Sequence, residues 1–125
     1  MRLLLDKHIF LWAVAGSPRL KPAARRLIES AEQVYVSAAS IWEVAIKAKL
    51  GKIEADPQAL TDAIAASGFL ALGVRAVHAA GVARLASHHT YPFDRLLVAQ
   101  ALAEPLKLLT ADAALVEYGD IVVLV

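Results

Sequence analysis

Four carboxylates carry the chemistry this sequence offers: Asp6, Glu43, Asp94 and Asp112. Asp6 directly follows the apolar run Leu3-Leu4-Leu5, and Glu43 lies in the second turn of the helix after Val34-Tyr35-Val36. Asp94 stands at the amino end of a helix over 93–104, and Asp112 comes just after Leu106-Lys107-Leu108-Leu109. In a parallel sheet with right-handed crossovers, strand carboxyl ends and helix amino ends share one edge. Ligands of open parallel sheets bind at that edge. Carboxylates crowded there repel, and their pKa values rise unless cations neutralise them. A hard divalent cation, Mg²⁺ or Mn²⁺, meets this need with oxygen ligands, retained waters and substrate phosphate. Such a site activates a water and stabilises a leaving oxyanion, which is what phosphodiester cleavage requires.

Taken singly, each acid has an ordinary explanation. Asp94 and Asp112 in first helical turns complement the helix dipole by about 0.3–1 kcal/mol. Asp6 can cap the first helix, and Glu43 precedes Lys47 by four residues, a pair worth roughly 0.2–0.5 kcal/mol on a surface. The surroundings argue for more. Glu43 stands within Ile41-Trp42-Glu43-Val44-Ala45-Ile46, and Asp94 is followed by Arg95 and the apolar Leu96-Leu97-Val98-Ala99. Acids such as Glu29, Glu32, Glu104 and Glu117 fall at helix middles or ends and read as solvated.

The elements that must position these residues alternate between strand and helix. Wholly apolar Leu3–Leu5 reads as a strand buried on both faces, followed by a helix over 9–15 closed by Gly16-Ser17-Pro18. Pro22 opens a helix to about Ala31. Val34–Val36 is a second strand, and Ser37 caps a helix that runs to about Leu50 and ends at Gly51. Asp56 and Pro57 begin another helix, which Gly68 stops. Residues 69–74 form a third strand, 76–85 a helix and 88–92 a loop. The helix over 93–104 is stopped by Pro105. Residues 106–109 are a fourth strand, 113–118 a short helix and 121–125 a fifth strand. This alternation predicts an α/β fold with a parallel sheet and helices on both faces.

Composition bounds the rest. A chain of 125 residues with no repeat or linker is expected to form one domain. The hydrophobic fraction of 58% and mean hydropathy of +0.54 exclude a disordered chain. A net charge of +1 excludes a polybasic nucleic-acid binder, although a cation held by four of the 12 acids would leave a more basic surface. The absence of cysteine excludes a disulfide scaffold, a thiolate zinc site and a cysteine nucleophile, and fits a cytoplasmic protein. No stretch approaches the roughly 20 apolar residues of a membrane span. Asp6, Lys7 and His8 interrupt the amino-terminal apolar run and argue against a signal peptide.

No phosphate-cradling glycine loop, paired-histidine zinc motif or nucleophile–base–orienter set is present. His78 reads as a packed helix residue. His88 and His89, in a loop near Asp94, are placed to touch substrate. Among the basic residues most solvate helix faces, but Lys47 and Arg95 neighbour Glu43 and Asp94.

Along nearly its whole length the chain resembles PIN-domain proteins, specifically the VapC-like toxins of bacterial type II toxin–antitoxin pairs. The resemblance rests on Leu3-Leu4-Leu5-Asp6-x-His8, on Val34-Tyr35-Val36-Ser37 with Ser40-Ile41-Trp42-Glu43-Val44-Ala45-Ile46-Lys47, and on Leu50-Gly51-Lys52. It continues in Pro92-Phe93-Asp94-Arg95-Leu96-Leu97-Val98-Ala99-Gln100-Ala101 and Leu109-Thr110-Ala111-Asp112. It implies a three-layer α/β/α sandwich with about five parallel strands and a Mg²⁺- or Mn²⁺-dependent endoribonuclease toxin. Asp6 and Asp94 would ligate the metal, Asp112 would complete the site directly or through water, and Glu43 would orient or activate the attacking water. Thr110 occupies a polar position the family often keeps, and with Lys47 and Arg95 it forms the expected substrate-binding set. The implied partners are RNA, a small antitoxin protein and a second copy of the chain, with helices 22–31 and 38–50 as contact surfaces.

Two residues depart from the family pattern: Lys7 where threonine usually follows the first aspartate, and Tyr91 where a further aspartate commonly precedes Pro-Phe-Asp. An ammonium beside Asp6 either competes with the metal or reaches a phosphate. Lys7 therefore keeps open a weak or inactive antitoxin-binding protein, beside a PIN nuclease outside toxin systems. A receiver-type phosphorylation domain is excluded, because it needs an acidic pair at the first strand and this chain offers Asp6 alone.

Overall fold

Each strand is a short, mostly apolar run bounded by polar or turn residues, and each of the first four is followed by a helix that returns the chain to the opposite edge. In the computed structural model, which describes residues 1–87 and 90–125, the order begins β1 (Arg2–Leu5), α1 (Lys7–Ala15), α2 (Pro22–Ser30), β2 (Gln33–Ser37) and α3 (Ala38–Lys49). It continues with α4 (Pro57–Ala66), β3 (Leu70–Leu72), α5 (Ala76–Gly81) with a 3-10 turn at Val82–Arg84, and α6 (Pro92–Ala103). Last come β4 (Lys107–Thr110), a 3-10 helix (Ala113–Tyr118) and β5 (Val122–Leu124). The five strands form one parallel sheet in the order β3-β2-β1-β4-β5.

Alternation along β1 builds the three layers, because successive side chains of a strand leave opposite faces. Leu3 and Leu5 enter a core with Ile9 and Phe10 of α1, Ala24 of α2, Val44 of α3, and Leu60 and Ile64 of α4. Leu4 enters the other core with Leu97, Val98 and Ala101 of α6 and Leu115 of the 3-10 helix. All three β1 leucines are fully buried, as are Leu108 and Leu109 of β4. Helices on both faces of a parallel sheet make an α/β/α sandwich.

The expected caps are present. Ser37 Oγ accepts from the Ala39 amide at 3.0 Å, and Asp56 Oδ1 accepts from the Gln58 amide at 3.0 Å. Gly16 ends α1 in the left-handed conformation (φ 61°), which L side chains adopt only with strain.

Local differences from the sequence expectation have physical causes. The third strand spans only Leu70–Leu72, because it pairs with β2 alone and has three partners there, Tyr35, Val36 and Ser37. The helix expected over 76–85 tightens into a 3-10 turn after Gly81. The first helix begins at Lys7, two residues earlier than its apolar run, and this turns out to matter. Among the described residues no helix is long and apolar enough to cross a membrane.

Candidate active site

The carboxyl ends of β1 and β4 lie side by side, since Leu5 pairs with Leu109 and the Asp6 amide donates to the Leu109 carbonyl at 3.0 Å. That register brings Asp6 beside Thr110. Asp6 stands at the N-cap of α1, yet its side chain caps nothing. Its Oδ2 instead accepts from Thr110 Oγ1 at 2.6 Å, and Thr110 Oγ1 accepts from the Asp112 amide at 3.0 Å. One buried hydroxyl therefore ties together the ends of two central strands. Asp112 caps the following 3-10 helix through Oδ1, which accepts from the Ala114 amide at 2.9 Å.

Asp6, Asp94 and Asp112 line a single cleft of about 350 Å³ at this edge. The three differ in exposure: Asp6 is buried, Asp94, in the first turn of α6, is half-buried, and Asp112 is exposed. Glu43, Lys47, Lys7, His8, Arg19 and Tyr91 complete most of the lining. The cleft thus has four carboxylates facing two ammonium groups and a guanidinium.

Glu43 is the focus of the cationic half. It is 3% exposed, and its Oε2 accepts from Lys7 Nζ at 2.8 Å, Lys47 Nζ at 2.9 Å and the Tyr91 hydroxyl at 2.5 Å. Burial alone would push its carboxyl up. Hydrogen bonds from Lys7, Tyr91 and Lys47 together outweigh burial and hold it below its ordinary value. Lys47 is raised by its hydrogen bonds to Tyr91 and Glu43. Tyr91 is raised by burial and by the Glu43 carboxylate that accepts its proton. His8 is lowered by burial and then by Lys7, so it enters the cleft as a neutral ring.

The remaining expected residues are placed differently. Thr110 is wholly buried behind Asp6. Arg95 is absent from the cleft lining; its guanidinium donates to the Val82 and Ala86 carbonyls and to the Tyr118 hydroxyl, pinning the segment before α6. His88 and His89 lie outside the described residues. His78 is fully buried away from the cleft, with Nδ1 accepting from the Arg75 amide and Nε2 2.6 Å from Glu104 Oε2.

Lys7 and Tyr91, the two departures from the family pattern, both bond Glu43. The signal for Lys7 is its position in the first turn of a helix that starts straight from a buried strand.

The donor set suits a hard divalent ion, since Asp6, Asp94 and Asp112 offer only carboxylate oxygens. Thr110 occupies Oδ2 of Asp6 and leaves Oδ1 without a donor among the described residues. No three acidic or histidine side chains among the described residues are drawn into a close metal-holding group. Like charges at one edge repel, and it is a cation that would bring them together.

Comparison with known proteins finds relatives by sequence and by fold. A family model described as PIN domain matches residues 3–121. Ribonuclease VapC22 of Mycobacterium tuberculosis (strain ATCC 25618 / H37Rv) is 34% identical over 119 residues, 90% of this chain and 88% of that protein. The crystal structure of VapBC2 from Rickettsia felis bound to a DNA fragment from their promoter superposes with a TM-score of 0.70 at 17% identity, covering 100% of this chain and 98% of that chain. A toxin–antitoxin complex from Klebsiella pneumoniae gives a TM-score of 0.67 at 20% identity, covering 97% and 95%.

Proposed function

The chain belongs to the PIN domain family, and from that premise we propose that it is a Mg²⁺- or Mn²⁺-dependent endoribonuclease, the toxin of a toxin–antitoxin pair. The observation that carries this reading is the convergence of Asp6, Asp94 and Asp112 on one cleft at the carboxyl edge of a parallel sheet. These three residues would hold the ion. When bound, such an ion polarises a phosphodiester and lowers the pKa of a coordinated water.

The chain's own residues do the positioning. Thr110 fixes the rotamer of Asp6 and, through the Asp112 amide, the start of the loop that carries Asp112. Glu43, held in its charged form, is a weak proton acceptor. It instead anchors Lys47 and Lys7 in the same cleft as the aspartates, where their charge would meet the phosphate backbone.

A protein partner is supported by α3. Trp42, Ile46 and Leu50 repeat every fourth residue and are 60%, 38% and 62% exposed. This apolar stripe adjoins Glu43 and Lys47 of the cleft, so an antitoxin helix laid upon it would reach the site. One of the similar solved structures is a toxin–antitoxin complex from Klebsiella pneumoniae, which supports the same reading. A homodimer in the cytoplasm completes it.

The test is RNA cleavage by purified protein with Mg²⁺ or Mn²⁺, with and without chelator, beside Asp94→Asn. Chelator is expected to stop cleavage, and Asp94→Asn to reduce it at least about 100-fold, the scale of losing one charge-stabilising group, without unfolding the chain. Cleavage retained in that variant overturns the assignment. The buried Lys7 favours one second reading, an inactive antitoxin-binding protein, which predicts no metal-dependent cleavage by the wild type.

A further inference from the structure

We propose that the ammonium of Lys7 takes the place of a second cation in this site: by holding Glu43 as its counter-ion, it limits the cleft to one divalent ion on the Asp6, Asp94 and Asp112 side. The inference rests on the metal-dependent reading above and concerns a residue that reading does not require.

The geometry that carries it is local to β1 and α3. Lys7 is 4% exposed, unusual for a residue whose ammonium normally reaches water. Its Nζ lies 2.8 Å from Glu43 Oε2, and among the described residues Glu43 is its one hydrogen-bond partner. Lys7 lines the same cleft as Asp6, Asp94 and Asp112. Four carboxylates line that cleft, and Glu43 already takes three donors on its Oε2. A second divalent ion on Glu43 would have to share that carboxylate with a buried ammonium. Lys47, by contrast, has a side chain 30% exposed and can swing into solvent.

Two-ion phosphodiester sites hold attacking and leaving oxygens between two cations. Here the ammonium is the second positive centre. One of its three N–H groups faces Glu43, and the others are available to a phosphodiester oxygen entering the cleft. Lys7 is thus a positioning residue for Glu43 and a binding group for the substrate phosphate.

The experiment counts Mn²⁺ ions bound per chain by electron paramagnetic resonance of the free ion, using the purified full chain. Wild type and Lys7→Arg are expected to bind one, because both keep the positive charge. Lys7→Met is expected to bind two, with Glu43 released to the second. A count of two in wild type, two in Lys7→Arg or one in folded Lys7→Met overturns the proposal. The first two counts decide the matter even where Lys7→Met fails to fold. No bound Mn²⁺ in any protein removes the metal-dependent reading itself, a failure distinct from a count of two.

Discussion

Thr110 Oγ1 donates to Asp6 Oδ2 at 2.6 Å while accepting from the Asp112 amide, so one hydroxyl sets the geometry of two acidic residues. Thr110→Val keeps the shape and removes both bonds. It is expected to destabilise the fold by about 1–3 kcal/mol, the cost of leaving a buried group unpaired, and to weaken Mn²⁺ binding. Thr110→Ser should retain both properties near wild type. Urea unfolding and Mn²⁺ titration check this.

Breaking the Lys7–Glu43 pair should be asymmetric. Glu43→Gln leaves a buried ammonium without a counter-charge and is expected to cost about 3–5 kcal/mol. Lys7→Met leaves Glu43 its bonds to Lys47 and Tyr91 and should cost clearly less. The double variant should recover part of the Glu43→Gln loss. Equal losses in the two single variants would contradict the assignment of Lys7 as the dependent partner. Urea unfolding in chelator measures all three.

The acid limb of stability should carry the signature of Glu43. Its folded pKa lies below the ordinary value of 4.5, so folding favours the charged form. The resulting stability is present above pH 4.5 and is lost as pH falls through the folded value. The raised Lys47 acts in the opposite sense, losing its contribution only as pH rises through its folded value, above the ordinary 10.5. Unfolding free energies between pH 7 and pH 3 should therefore fall more steeply in wild type than in Glu43→Gln.

The exposed stripe on α3 should separate partner binding from folding. The Trp42 ring meets the Phe93 ring edge-on at 5.1 Å, a contact worth about 0.5–1.5 kcal/mol. Trp42→Ala is expected to lower stability by no more than that while weakening antitoxin binding by about 2 kcal/mol or more, as for a buried interface anchor. Calorimetric titration of the antitoxin, beside thermal unfolding of the free chain, tests it.

Much of this fold was legible because its signals are short-range. The apolar runs at Leu3–Leu5 and Leu106–Leu109, the caps Ser37 and Asp56, and the stops at Gly16 and Gly68 act through their own backbone. The shared edge followed from the handedness of crossovers, so the convergence of Asp6, Asp94 and Asp112 on one cleft needed no side-chain detail. What escaped depends on contacts distant in sequence. The apolar neighbours of Glu43 speak for its burial, but its donor set becomes visible only when Lys7 and Tyr91, 36 and 48 residues away, converge on one oxygen. Arg95 neighbours Asp94 in sequence, yet carbonyls of the preceding segment hold its guanidinium. Asp6 looked like a helix cap, and the register of β1 against β4 gives it Thr110 instead.

The central place of β1 has a dynamic consequence. It is paired on both sides, its three leucines are fully buried, and the Asp6 amide is itself bonded to β4. The strands that fray most readily are the three-residue edges β3 and β5. Amide hydrogens at Leu4, Leu5 and Asp6 should accordingly exchange only on global unfolding, while those of β3 and β5 exchange through local opening. Asp6 thus sits on the last part of the molecule to come apart, and a site built on it is controlled by filling it rather than by loosening it.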